Sequence, residues 1–253
     1  MGQEFTGPRT AIVTGGAKRI GAAIARALSA DGWHLLIHCH KSIAEAEALA
    51  RELDNAVVVS ADLAEPTAAD RVFDALCGLP PPLLLVNNAS RFVHDSAGDF
   101  TVENWDAHLN INLRAPALLS RYFAEMAGDG GLIVNLLDAK LVQPNPDFFS
   151  YTVSKMGLAG LTELQARVYA QRGIRVCGIA PSVTLVSGPQ SRENFDSVHK
   201  LNALGRGVEA REIVAALRFI VDTPTLTGQT IVLDAGQRFL ALPRDVQFMG
   251  PRR

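Results

Sequence analysis

Short apolar runs alternating with longer amphipathic stretches predict an α/β protein, a doubly wound parallel sheet with helices on both faces. The runs are Ala11–Val13, His34–His40, Ala56–Ser60, Leu83–Asn87, Leu132–Leu137, Ile174–Ile179 and Thr230–Leu233. Most are continuously apolar, as strands buried on both faces must be. A glycine-rich turn, Thr14–Gly21, joins the first run to a stretch with helical spacing. The chain has 253 residues, 48% hydrophobic and 20% charged, which fits one large domain over 1–253 with a sizeable core.

Taken in order, the first unit is Thr10–Ala30, TAIVTGGAKRIGAAIARALSA. Gly15 and Gly16 permit a tight turn and Gly21 a close helix–strand approach. Apolar Ile20, Ile24, Ala27 and Leu28 then fall on one helical face. Strand, glycine turn and helix together aim backbone N–H groups at a phosphate. After the second strand, Ser42 reads as the N-cap of a helix running to Leu53, with Glu45 completing a capping box. Thr67–Cys77 is a third helix, and Pro80-Pro81-Pro82 breaks the chain before the fourth strand. Thr101–Ala127 reads as one helix kinked near Pro116, Tyr151–Gln171 as a long helix, and Glu209–Val221 as another. The least patterned piece, Ser182–Arg206, follows a strand and reads as a lid or substrate loop. Leu240–Arg253 carries no assignable element.

A net charge of −2 gives no footprint for nucleic acid. The apolar runs are far too short for a bilayer. Residues 1–10 lack the basic-then-apolar order of a secretory leader, and Cys39, Cys77 and Cys177 have no ligand or disulfide spacing. Reduced cysteines, a cytoplasmic location and no metal are the expectations. Met1-Gly2…Thr6 matches a myristoylation pattern only formally, without a polybasic patch.

In a doubly wound sheet, ligands bind at the carboxyl ends of the strands. Beyond the first strand stand Lys18 and Arg19; beyond the second stand His40, Lys41 and Ser42, where an acidic residue would favour NAD. Cations with a hydroxyl suit a 2′-phosphate, so NADPH is the expected cofactor, although a solvated Lys/Arg cluster would read the same way. Asp62, followed by Leu63, ends the third strand and could accept from an adenine amino group. Asn88, Ala89 and Ser90 end the fourth and could line a ribose. Tyr151 and Lys155, four residues apart, share a helical face, and a nearby ammonium would favour phenolate.

Thr14-Gly15-x-x-x-Arg19-x-Gly21, Asn87-Asn88-Ala89, Asn112, Tyr151-x-x-x-Lys155 and Pro181 together resemble the short-chain dehydrogenase/reductase family, from about Thr10 to Gly236. The resemblance implies a Rossmann-type sheet of about seven strands. Tyr151 would be the proton donor and would also contact the cofactor, and Lys155 would bind the nicotinamide ribose and lower the tyrosine pKa. Asn112 would hold a proton-relay water. Gly15, Ile20, Leu63, Pro181 and Ser182 would lie along the dinucleotide. A homotetramer through the helices at 101–127 and 151–171 is also implied, with a dimer left open.

Two departures narrow the branch. Arg19 stands where the family usually has glycine, and Asp138, thirteen residues before Tyr151, where it usually has serine. Both resemble the pteridine reductases and the bacterial reductases of dihydrofolate and dihydromonapterin. So do His38-Cys39-His40-Lys41-Ser42, Asn88-Ala89-Ser90-Arg91-Phe92 and Asp138-Ala139…Gln143-Pro144. The branch implies a pterin or folate contacted by Ser90, Phe92, Asp138 and Tyr151. A carboxylate beside the phenol works against Lys155, which makes sense if the substrate offers N–H donors or if Asp138 relays a proton. The alternatives are a carbonyl reductase acting on an oxoacyl thioester or other ketone, and an NADPH sensor without turnover.

Overall fold

The structure is a computed structural model that describes residues 7–186 and 190–249. The myristoylation pattern at the start of the chain and three residues of the expected substrate loop lie outside them. Seven parallel strands form one sheet in the order β3-β2-β1-β4-β5-β6-β7. They are β1 (Thr10–Val13), β2 (His34–Cys39), β3 (Ala56–Ser60), β4 (Pro82–Asn87), β5 (Gly131–Leu136), β6 (Ile174–Pro181) and β7 (Thr230–Leu233). The order reverses between β1 and β4, and ligands gather at such a switch point.

Strand alternation sends side chains into two cores. Ala11, Val13, Leu84, Val86, Leu132 and Val134 face one layer, and Ile12, Leu85 and Ile133 face the other. The first layer is closed by α1 (Arg19–Ala30), α2 (Ile43–Glu52) and α8 (Ala210–Asp222), through Ile24, Leu28, Leu49, Leu217 and Ile220. The second is closed by α3 (Ala68–Asp74), α5 (Ala115–Met126) and α6 (Phe149–Tyr169), through Val72, Phe73, Leu119, Phe123 and Ala166. α1 packs close because its inward face is small: Gly21, Ala22 and Ala25 are all buried. Trimming a fully buried strand residue such as Leu85 to alanine would cost about 2–5 kcal/mol.

Three local expectations need correction. Ser42 makes no side-chain cap bond, and Glu45 pairs instead with Lys18 at 2.5 Å, so no capping box forms there. That device appears at α8, where the Glu212 carboxylate accepts from the Glu209 N–H at 2.8 Å. The helix expected over Thr101–Ala127 is interrupted, but not by Pro116. Between α4 (Val102–Leu109) and α5 lies a π turn, Asn110–Arg114, and Pro116 sits harmlessly in the first turn of α5. The unpatterned stretch after β6 contains a short helix, α7 (Arg192–Val198), N-capped by Ser191 accepting from Asn194 N–H at 3.1 Å.

Candidate active site

The ends of β1, β4, β5 and β6 open into one cleft of about 570 Å³, large enough for a cofactor-sized ligand. Its floor is the glycine turn. Gly15 has φ +60°, and a Cβ there would come within 3.0 Å of the Ala89 backbone. A Cβ on Gly21 would come within 2.2 Å of the Gly15 carbonyl. Asn88 ties this turn to β4: its Nδ2 donates to the carbonyls of Thr14 (2.8 Å) and Gly15 (3.1 Å). Thr14 Oγ1 answers by accepting from the N–H groups of Asn88 and Ala89, both at 3.0 Å. α1 begins beyond Lys18 with no side-chain cap and no acidic residue in its first turn. Uncapped N–H groups, a positive helix end and a turn too tight for side chains fit the pyrophosphate of a dinucleotide.

Arg19 occupies a left-handed backbone position, φ +57°. Glycine adopts this without cost, whereas other residues pay about 1–2 kcal/mol. The side chain is exposed, yet its guanidinium donates to the carbonyls of Leu185 (3.4 Å) and Val186, joining the glycine turn to the loop after β6. Partial desolvation lowers its pKa from the usual arginine value.

Tyr151 and Lys155 stand on the first turns of α6, both buried, with Asp138 just beyond β5. Tyr151 Oη donates to Asp138 Oδ2 at 2.7 Å, and Asp138 Oδ1 accepts from the Lys140 N–H at 2.8 Å. Lys155 Nζ donates to the Leu136 carbonyl at 2.6 Å and lies 5.8 Å from the Tyr151 ring centroid. The expected lowering of the tyrosine pKa is therefore reversed. Burial, then the charge and hydrogen bond of Asp138, hold the phenol well above its usual pKa of 10.0. Burial pushes Lys155 down to about 8, against the pull of Asp138.

Gly15, Arg19, Ile20, Asn88, Ala89, Ser90, Phe92, Asp138, Tyr151, Lys155, Pro181 and Ser182 all line this cleft. His40, Lys41, Ser42, Asp62, Leu63 and Asn112 do not. The first five cluster at the ends of β2 and β3, where His40 Nε2 lies 3.5 Å from Asp62 Oδ2 and Asp62 Oδ1 accepts from the Ala64 N–H. Asn112 is buried in the π turn, and both its amide hydrogens are spent, on the Arg91 carbonyl (3.0 Å) and Ser154 Oγ (2.9 Å). Its Oδ1 accepts from the Arg91 N–H at 2.7 Å, so the amide steadies the segment carrying Phe92. One face of Phe92 is already covered, stacked on Phe148 at 4.1 Å, while Tyr151 meets it edge-on at 4.6 Å.

One wall of the cleft has almost no signature in the sequence. Leu242, Arg244, Asp245, Val246 and Gln247, from the unassigned tail, line the same cleft together with Lys140 and Thr184. Arg244 donates to both oxygens of buried Asp147, at 3.2 and 2.9 Å, and the Asp245 N–H adds a third bond at 2.8 Å. The sequence signal was slight, the adjacent charges Arg244-Asp245 within a mostly apolar stretch, Leu240–Met249.

Known proteins share this architecture. The family model for enoyl-(acyl carrier protein) reductase matches residues 15–238. A crystal structure of FolM alternative dihydrofolate reductase 1 from Brucella canis, complexed with NADP, is 38% identical with a TM-score of 0.87, covering 92% of this chain and 94% of that one. Pteridine reductase 1 of Leishmania tarentolae is 31% identical, with 89% of this chain and 95% of the relative covered. Human dehydrogenase/reductase SDR family member 4 is 30% identical, over 90% and 87% respectively. The chain belongs to the short-chain dehydrogenase/reductase family.

Proposed function

We propose that this protein reduces a pterin or folate with NADPH, converting a dihydropterin-type ring to its tetrahydro form. The observation that carries the reading is the 2.7 Å bond from Tyr151 to Asp138 inside the cleft. A carboxylate there is poorly matched to a ketone or thioester oxygen, since both are acceptors, and well matched to a ring bearing N–H groups. Likeness to a dihydrofolate reductase crystallised with NADP and to a pteridine reductase supports the same substrate class and cofactor.

In this reading the turn at Gly15, with Arg19, Ile20 and the start of α1, holds the pyrophosphate end. His40, Lys41 and Ser42 take the 2′-phosphate, with Asp62 and Leu63 beside the adenine. Asn88, Ala89, Ser90, Pro181 and Ser182 frame the nicotinamide half, with Lys155 on its ribose. The dinucleotide, when bound, supplies a hydride to the carbon of the substrate C=N bond. Tyr151, kept protonated by its surroundings, gives a proton to the neighbouring nitrogen. The phenolate left behind sits beside a carboxylate, and the buried Lys155 ammonium is the chain's own counter-charge. Asp138 orients the phenol and draws substrate N–H groups toward it, with Phe92 and Ser90 flanking the ring. Asn112 acts one step removed, through Arg91. A homotetramer is part of the proposal, and α6 carries exposed apolar residues, Leu164 and Val168, that a partner would cover.

NADPH consumption with dihydrobiopterin, dihydrofolate and an acetoacetyl thioester, run in parallel, tests the reading. Turnover on either of the first two supports it. Turnover confined to the thioester favours a carbonyl reductase instead.

A further inference from the structure

The two stretches hardest to read in the sequence meet over the substrate end of the cleft. Residues 242–248 form a strap against α7, where Asn194 Nδ2 donates to the Gln247 carbonyl at 3.3 Å. On the other side Phe248 packs against Phe148 at 5.9 Å and His94 at 4.8 Å, on the aromatic wall that carries Phe92. The bidentate Arg244–Asp147 pair pins the strap near its start. Asp245 is thereby fixed beside Lys140, its Oδ2 3.7 Å from the ammonium, with both side chains largely buried.

Among the described residues, four carboxylates stand in or behind this part of the cleft, and their hydrogen bonds differ. Asp138 accepts from Tyr151 and from the Lys140 N–H. Both oxygens of Asp147 are taken by Arg244, with the Asp245 N–H added. Asp234 accepts from the Gly236 and Arg238 N–H groups and from the Arg238 guanidinium. Asp245 accepts one backbone bond, from Gln247 N–H to Oδ1 at 3.1 Å, and its Oδ2 faces the Lys140 ammonium at 3.7 Å. A carboxylate offers about four acceptor sites, so Asp245 keeps the most unspent capacity of the four.

We propose that Asp245 is a specificity-determining residue that accepts hydrogen bonds from the N–C–N edge of a nitrogen-rich ring. Lys140 is its positioning residue. This rests on the pterin or folate reading and deepens it. Charge-assisted bonds from amino N–H groups along that edge offset the cost of a largely buried carboxylate, whereas a carbonyl oxygen in place of the amino group meets repulsion. Burial, and after it the charges of Asp138 and Asp147, raise the Asp245 pKa, as expected for a carboxylate short of donors. Lys140, itself lowered by burial, donates to the Asp147 carbonyl and so holds its charge between strap and Asp138.

The test is binding of 2,4-diaminopteridine against 2,4-dioxopteridine (lumazine), followed by fluorescence on the full chain with NADP⁺ present. The variants are Asp245→Asn and Asp245→Ser; a serine hydroxyl can still accept from the Gln247 amide and keep the strap turn. Wild type is expected to prefer the diamino ring. Both variants are expected to lose roughly tenfold or more of that preference, with lumazine and NADP⁺ affinities within about twofold of wild type. An unchanged preference in the variants overturns the role of Asp245 while leaving the pterin reading intact. Equal loss for both rings also overturns it, because the strap would then be acting structurally. If wild type binds neither ring, this proposal and the substrate reading fall together.

Discussion

Tyr151 gives its phenolic hydrogen to Asp138 across 2.7 Å, so the proton donor and the carboxylate form one unit. Lys155, the third member, points its ammonium at the Leu136 carbonyl instead. At neutral pH the phenol is held protonated by burial and by Asp138, ready to donate rather than to accept.

Tyr151→Phe removes that hydrogen while keeping the ring edge-on to Phe92. Pterin turnover should fall by roughly 10²–10⁴-fold, the usual worth of a positioned acid. NADPH affinity, read by fluorescence titration, should stay within about twofold, since the ring that lines the cleft is retained and only one hydroxyl is lost.

Lys155 supplies a pH signature. Its pKa is about 8 in the folded chain and 10.5 in the reference state, so the unfolded chain binds more protons between those values. The contribution of Lys155 to the stability of the ligand-free protein should therefore rise with pH from about 8 to 10.5, as the buried charge is discharged. Lys155→Met carries no such charge, and its stability difference from wild type should be largest below pH 8 and shrink above it. Urea midpoints of the two proteins across that range decide the point.

Gly21→Ala puts a methyl group 2.2 Å from the Gly15 carbonyl, a distance no relaxation of side chains can relieve. The turn must open, costing about 1–3 kcal/mol of stability. Chemical denaturation and NADPH titration should both register the loss, since the same backbone would cradle the phosphates.

Lys41→Glu tests the cofactor choice at the end of β2. An acid there should weaken NADPH by roughly tenfold or more while leaving NADH unchanged or improved. Dissociation constants for both dinucleotides, measured at one ionic strength, separate a 2′-phosphate effect from general damage.

Much of this was legible in the sequence for physical reasons. Strands buried on both faces must be apolar throughout, which made β1, β2, β4 and β5 visible. The Arg19 anomaly was visible too, and its backbone angle of +57° explains why glycine is usual there. Other features left no pattern. A π turn adds one residue per turn without altering composition, so the break at Asn110–Arg114 looked like a proline kink. Ser42 and Glu45 had the spacing of a capping box, but Lys18, remote in sequence, captured the carboxylate. The strap escaped because Arg244, Asp245 and Phe248 acquire their roles only from partners about a hundred residues away, such as Asp147 and Phe148.

In the proposed reaction Asp138 selects and serves a nitrogen-rich substrate through Tyr151. Asp138→Ser is the most direct test, assayed with dihydrobiopterin and an acetoacetyl thioester side by side. Serine can still accept the Lys140 N–H, so the fold around β5 should persist. The variant should lose kcat/KM for the pterin on the order of 100-fold, with no loss for the thioester. Full pterin turnover by Asp138→Ser, or a wild-type enzyme active only on the thioester, would contradict it.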